Sequence, residues 1–267
     1  MAIDMKRFCI LCLSLWLLLA GCGAGESSAT TAAPETLPAV TESAETEVLA
    51  TEAATVPTEP AVVLHSGLKA DGSFDAGTWF IGDSMTCILI TDYLKPNNLI
   101  GEANYTAKYG SQIIAFAEVP MEYESYNACV FNPEFEGMTY NEAGLLLGEQ
   151  VTAIYLMWGT NYTWNAYADM YIGLVDYLLE ICPNATVHLQ LIPWGAPKVI
   201  RFEKVNGWIQ EAYDHYQQLG EERVMLIDTF TAIGRNHDSG NIHLNYQGNE
   251  LWYQAIVAHA EEHNLAQ

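Results

Sequence analysis

Thr78-Trp79-Phe80-Ile81-Gly82-Asp83-Ser84-Met85-Thr86 is the stretch on which the reading of this chain turns. Trp79–Ile81 is an apolar run suited to a short buried strand, and Gly82 stops it. Glycine is expected there because it adopts backbone angles that other residues avoid. Asp83 and Ser84 favour a helix start, since their side-chain oxygens accept bonds from the free N–H groups of a first turn. The helix would continue with Cys87, Ile88, Leu89, Ile90 and Tyr93 on its apolar side. Such a corner leaves Ser84 at the carboxyl end of a strand, beside the partly positive N-terminus of a helix. That placement suits a nucleophilic serine. Gly-Asp-Ser is equally a common turn tripeptide, so both readings stand until the rest of the chain is considered.

Outward from this corner, apolar runs alternate with amphipathic ones. Val151–Met157, Val187–Leu191 and Val224–Ile227 are further strand candidates, rich in β-branched and aromatic residues. Tyr140–Glu149, Tyr167–Ile181, Val205–Leu219 and Gln247–His263 carry apolar residues at helical spacing. Strands buried on both faces and separated by helices predict a three-layer α/β/α domain with a mostly parallel, flavodoxin-like central sheet. Ligands in such folds bind beyond the carboxyl ends of the strands.

Chemistry is therefore sought in the residues just after each strand. Trp158-Gly159-Thr160-Asn161-Tyr162 comes after the second candidate, and Asn161 there either donates its amide N–H to a ligand or caps a turn. Asn104–Ser111 reads as a polar loop in which Gly110 would let a backbone N–H approach a ligand or would merely turn the chain. Ile242-His243-Leu244-Asn245 sets a histidine just ahead of the last helix, as a base or as a surface residue.

The amino-terminal residues are of another kind. Lys6 and Arg7 precede an apolar run, Phe8–Ala20, shorter than the roughly 20 residues that span a bilayer, as in a signal peptide. It closes on Leu19-Ala20-Gly21-Cys22, which resembles the bacterial lipoprotein signal motif. That resemblance implies cleavage before Cys22 and lipidation of its thiol, with residues 1–21 removed. Residues 22–62 are mostly Thr, Ala, Glu, Pro and Ser, and too poor in large apolar groups to offset chain entropy. An extended tether of this length reaches on the order of 100 Å at roughly 3 Å per residue. Residues 63–267 are then expected to form the folded domain, which the lipoprotein resemblance implies is attached to a membrane on its extracellular side.

The whole chain has 10 basic and 33 acidic residues, net −23. Setting aside Asp4, Lys6, Arg7 and the seven linker glutamates leaves 8 basic against 25 acidic, or −17, from residue 63 onward. A surface so acidic repels nucleic acid and anionic polymers. Cys87, Cys129 and Cys182 allow at most one disulfide, have no metal-ligand spacing, and read as small core residues. The domain is expected to act as a monomer.

Taken in order, Gly82-Asp83-Ser84, Gly110, Gly159-x-Asn161 and His243 resemble the four blocks of the SGNH (GDSL) hydrolase family, over roughly residues 78–262. Ile227-Asp228-Thr229-Phe230 and Asn245-Tyr246-Gln247-Gly248 also look like the family's pattern on either side of the last block. The resemblance implies an SGNH-like α/β/α fold and carboxylic-ester hydrolysis without metal or cofactor. In that scheme Ser84 is the nucleophile, His243 the base, and Gly110 and Asn161 donate to the oxyanion. One position departs: three residues before His243, where the family usually has Asp, stands Gly240. Either Asp238 completes a triad through a looser loop, or a Ser–His dyad operates with a backbone carbonyl or Asn241 orienting the ring. Asp83, Trp158, Tyr162 and Trp194 are candidate substrate contacts, the aromatic faces suiting sugar rings, unless these rings are core. O-acetyl groups on carbohydrate are the expected substrate. A lipid esterase, an O-acetyltransferase and a non-catalytic binding lipoprotein are the alternatives.

Overall fold

The computed structural model describes residues 62–113, 115–118, 129–161, 168–193, 202–235 and 242–265, all within the unit Thr58–Gln267. Its strands and helices run β1 (Thr78–Gly82), α1 (Ser84–Ile88) continuing into a π-helical turn (Leu89–Leu94), β2 (Asn104–Lys108), α2 (Ala115–Glu118) and β3 (Cys129–Phe131). Then come α3 (Tyr140–Leu147), β4 (Ala153–Met157), α4 (Ala168–Ile181), β5 (Thr186–Gln190), α5 (Phe202–Leu219), β6 (Val224–Ile227), α6 (Thr229–Ile233) and α7 (Tyr246–Glu262). The strands form one sheet in the order β3-β2-β1-β4-β5-β6, parallel except for β3 against β2. This is the expected three-layer α/β/α architecture.

The period of two along each strand sorts the core into two layers. Trp79 and Ile81 of β1, Ile154 and Leu156 of β4, and Val187 and Leu189 of β5 pack with α3, α4 and α5 on one face. Phe80, Tyr155, Met157 and Ile227 pack on the other with Met85, Leu89, Ile90, Trp252 and Ile256. That second face is covered by α1, its π-helical turn, α6 and α7. Every residue of β1, β4 and β5 is buried, as expected of central strands. The three cysteines are free and buried.

Two strands differ from the sequence reading. Asn104–Lys108, a loop by its composition, is β2, with Trp79 in register with Asn104 and Gly82 with Ala107. Its polar residues are used inside the sheet: Asn104 Nδ2 donates to Ala76 O at 2.8 Å, and Thr106 Oγ1 accepts from Trp79 Nε1 at 3.0 Å. Strand β3 is a three-residue edge with no periodicity to read. The helix ends agree with their caps. Thr139 and Glu142 form a capping box at the start of α3, and Asn245 caps α7.

Opposite α7, β5 carries a buried histidine. His188 stacks on Tyr155 at 4.7 Å and meets His259 edge-on at 5.5 Å. Burial holds the His188 imidazole down at about 4, and burial with its histidine neighbours holds His259 at about 3. An unfolded chain takes up these protons near pH 6.5, so between that pH and about 3 it binds more protons than the fold. Stability is accordingly expected to fall steadily as pH drops below about 6.5. Thermal melts across pH 7 to 4 check this: His188→Gln is expected to flatten the slope, and an unchanged slope contradicts it.

Candidate active site

Strand β1 has β2 on one side and β4 on the other, so chain direction across the sheet reverses at its carboxyl end, the place where ligands bind in open α/β sheets. There the predicted corner forms. Gly82 is the last residue of β1 and Asp83 caps α1, its Oδ1 accepting from Met85 N at 3.0 Å. The reason for glycine at 82 is space rather than backbone angle. Its φ is not positive, but an added Cβ would collide with Thr86 Oγ1 and the Met157 carbonyl. Gly82 thereby lies close against the end of β4, and Ser84 follows as the first residue of α1.

The chain's far end comes to the same place. His243 lies in the segment leading into α7, half-buried, with Nε2 3.1 Å from Ser84 Oγ across 159 residues of sequence. At this distance the hydroxyl can donate to an unprotonated Nε2, the tautomer a general base requires. The Tyr109 ring meets the imidazole edge-on at 5.8 Å. Burial lowers the His243 imidazole below its ordinary value, and the Asp92 carboxylate works against that shift.

Gly110 comes just after β2 at the same sheet edge, exposed, with φ +73°. A residue with a Cβ is strained in that conformation. Asn161 comes after β4, and its Nδ2 donates to the carbonyl of Ser111, next to Gly110, at 3.1 Å. Gln112 Nε2 returns a bond to Asn161 O at 3.1 Å. The structure thus joins Ser84 to His243, and the Gly110 loop to Asn161. Tyr162, Trp194 and Asp238 lie outside the described residues, as do Gly240 and Asn241.

Two proposed substrate contacts are corrected. Asp83 is wholly buried. Its Oδ2 accepts from Gly159 N (3.3 Å), Thr160 N (3.1 Å) and Thr160 Oγ1 (2.6 Å). Burial pushes its carboxyl above the usual range while these donors and the Met85 N–H pull the other way. It ties the serine corner to the loop after β4 and faces no solvent. Trp158 is also wholly buried, in the core with Phe116 and Tyr140, its Nε1 donating to Ser111 Oγ at 2.9 Å. An aromatic residue directly after a buried strand points inward as readily as outward, and here the core has room for the ring.

Sequence reasoning passed over Ser111, Tyr140 and Thr160. Ser111 Oγ and Tyr140 Oη both donate to the Gly82 carbonyl, at 3.4 and 3.2 Å. Nothing in the local spacing marks Tyr140, 58 residues from Gly82, as a partner. Ser111 had one signal, its place beside the glycine already singled out.

Fold and geometry together define a three-layer α/β/α protein in which a serine and a histidine meet at the carboxyl end of a mostly parallel sheet. A family two carbohydrate esterase from Clostridium thermocellum in complex with cellohexaose superposes with a TM-score of 0.50 at 15% identity, over 70% of this chain and 64% of that one. An active-site mutant of such an esterase from the same organism gives 0.50 at 14%, over 69% and 63%. This chain therefore spans less than two thirds of those proteins' length. A family 3 carbohydrate esterase from Talaromyces cellulolyticus gives 0.48 at 17%, over 71% and 99%. No family model and no curated protein matches the chain. Among the described residues, no group of three or more His, Cys, Asp or Glu is placed to hold a metal ion.

Proposed function

We propose that this protein is a serine esterase that removes O-acetyl groups from carbohydrate, held at the cell surface by a lipid on Cys22. The observation that carries the reading is the 3.1 Å approach of His243 Nε2 to Ser84 Oγ at the carboxyl edge of a parallel sheet. Ser84 Oγ attacks the ester carbonyl and its proton passes to His243 Nε2. The carbonyl π electrons move to oxygen, where the Ser84 and Gly110 N–H groups and the Asn161 amide receive the charge. Collapse expels the alcohol, which takes the proton from His243 and leaves acyl-Ser84. Water, deprotonated by the same imidazole, then releases the acid and restores the serine. For the other ring nitrogen the two readings stand: Asp238, or a backbone carbonyl or Asn241 in a Ser–His dyad.

Support for a sugar ester over a lipid is of two kinds. The net charge of −17 from residue 63 onward disfavours anionic surfaces. The complex of the Clostridium esterase with cellohexaose makes acetylated glycans the first substrates to try. Anchoring rests on Leu19-Ala20-Gly21-Cys22 and the acidic tether beyond it.

One experiment addresses chemistry and location together. A fluorophosphonate applied to bacterial cells making the full chain is expected to label Ser84, and the label to sediment with membranes. Cys22→Ser is expected to move the labelled protein to the soluble fraction, and Ser84→Ala to abolish labelling. Labelling that survives Ser84→Ala sinks the esterase; labelled Cys22→Ser protein that still sediments sinks the anchor. On the purified domain, p-nitrophenyl acetate is expected to be hydrolysed faster than longer-chain esters, and the opposite order favours a lipid esterase.

A further inference from the structure

Two of the three donors assigned to the oxyanion stand on separate loops, one after β2 and one after β4. A donor is effective only when held where charge will develop, so something has to fix both loops against Ser84. The side chain placed to do so is Ser111. It is 6% exposed, sits directly after Gly110, and bonds in three directions. Its Oγ donates to the carbonyl of Gly82, two residues before Ser84, at 3.4 Å, and accepts from Trp158 Nε1 at 2.9 Å. Tyr140 Oη closes the group, 3.5 Å from Ser111 Oγ and 3.2 Å from Gly82 O. The main-chain carbonyl of Ser111 accepts from Asn161 Nδ2 at 3.1 Å.

Building on the esterase reading, we infer that Ser111 is a positioning residue, holding the Gly110 loop to the end of β1 through its hydroxyl and aiming the Asn161 amide through its carbonyl. The reasoning is geometric. A primary amide carries two hydrogens in one plane, about 120° apart. Giving one to a carbonyl of fixed position sets the direction of the other. In the structure Asn161 Nδ2 also reaches Thr160 Oγ1, at the longer distance of 3.4 Å, and it is this weaker bond that a developing oxyanion would displace. The carbonyl is fixed because the Ser111 hydroxyl is tied to Gly82 and Trp158. Losing that hydroxyl loosens the loop, and with it the aim of both donors.

A packing role for the same hydroxyl predicts lower stability, but no coupling to Asn161. A double-substitution cycle separates the two. With p-nitrophenyl acetate, Asn161→Ala is expected to lower kcat roughly 10²–10³-fold, as for loss of one oxyanion donor. Ser111→Ala is expected to lower kcat on the order of tenfold, with KM within about twofold, since the interaction belongs to the transition state. The double variant is expected to lose clearly less than the product of the two. Multiplicative losses, or an unchanged kcat in Ser111→Ala, overturn the inference. Should Ser111→Ala not fold, as judged by its melting curve, Ser111→Cys fills the site with a larger atom, weakens the bonds and goes through the same cycle with the same two outcomes. Wild-type protein with no Ser84-dependent turnover overturns the esterase reading itself. Ser84-dependent turnover with a multiplicative cycle overturns only the role of Ser111.

Discussion

Ser84→Ala is expected to lower kcat on p-nitrophenyl acetate at least about 10⁴-fold, and His243→Ala by a similar factor, without loss of fold. Ser84 is nearly buried and its hydroxyl meets His243 Nε2 at 3.1 Å, so exchange for Ala removes one oxygen and adds no strain. On the proposed mechanism the two groups act in one proton transfer. The double variant is therefore expected to be no slower than the worse single one, because groups that work as a unit are lost as a unit. Independent, multiplying losses would show that the two side chains are merely neighbours. The base must also be neutral to accept the serine proton. Burial favours the neutral imidazole, so the acid limb of kcat/KM is expected below about pH 6.5, the ordinary imidazole value. Asp92 is the charge that opposes this shift, and Asp92→Asn is expected to move the limb lower still. A limb that rises or stays fixed in Asp92→Asn contradicts that electrostatic account.

Much of the arrangement is legible in the sequence, for identifiable reasons. Trp79–Ile81 and Ala153–Met157 are central strands, and burial on both faces writes a continuous apolar run; in the third, Thr186–Gln190, His188 and Gln190 break that run and bond inside the fold. Helix starts at Tyr140 and Tyr246 can be placed to within a residue because Thr139 and Asn245 cap them. The meeting of Ser84 with His243 is expected from the resemblance alone; no local pattern announces a contact across 159 residues. Strand β2 escapes a sequence reading because Asn104, Thr106 and Lys108 look like loop residues, and only the neighbouring strand shows what they bond. Asp83, beside Ser84, and Trp158, by its aromatic face after a strand, suggest substrate contacts in the sequence. Direction decides otherwise: the Asp83 side chain folds back over the helix start, and the Trp158 indole turns under the sheet edge towards Ser111.

Asp83→Ala is expected to be the most destabilising single change at this site, although Asp83 takes no part in the chemistry. Its carboxylate receives four bonds, from Met85 N, Gly159 N, Thr160 N and Thr160 Oγ1. Alanine removes an N-cap, at a cost of roughly 0.5–2 kcal/mol. It also strands buried donors of the loop after β4, at roughly 1–3 kcal/mol for each that finds no new partner. A total on the order of 3–6 kcal/mol lowers Tm by roughly 6–24 °C in a domain of this size, at roughly 2–4 °C per kcal/mol. Asp83→Asn is expected to fall between, because one amide oxygen can still cap α1 while the NH₂ group meets N–H donors on the other side. The alternative role, contact with substrate, makes the opposite forecast: KM rises while the melting curve stays put. Calorimetry and steady-state kinetics on the same three proteins decide between them, and a Tm within about 2 °C of wild type for Asp83→Ala defeats the structural account. The same carboxylate holds the nucleophile's helix on one oxygen and the loop that presents Asn161 on the other. Its removal is therefore expected to lower kcat in whatever fraction stays folded, at temperatures well below the transition.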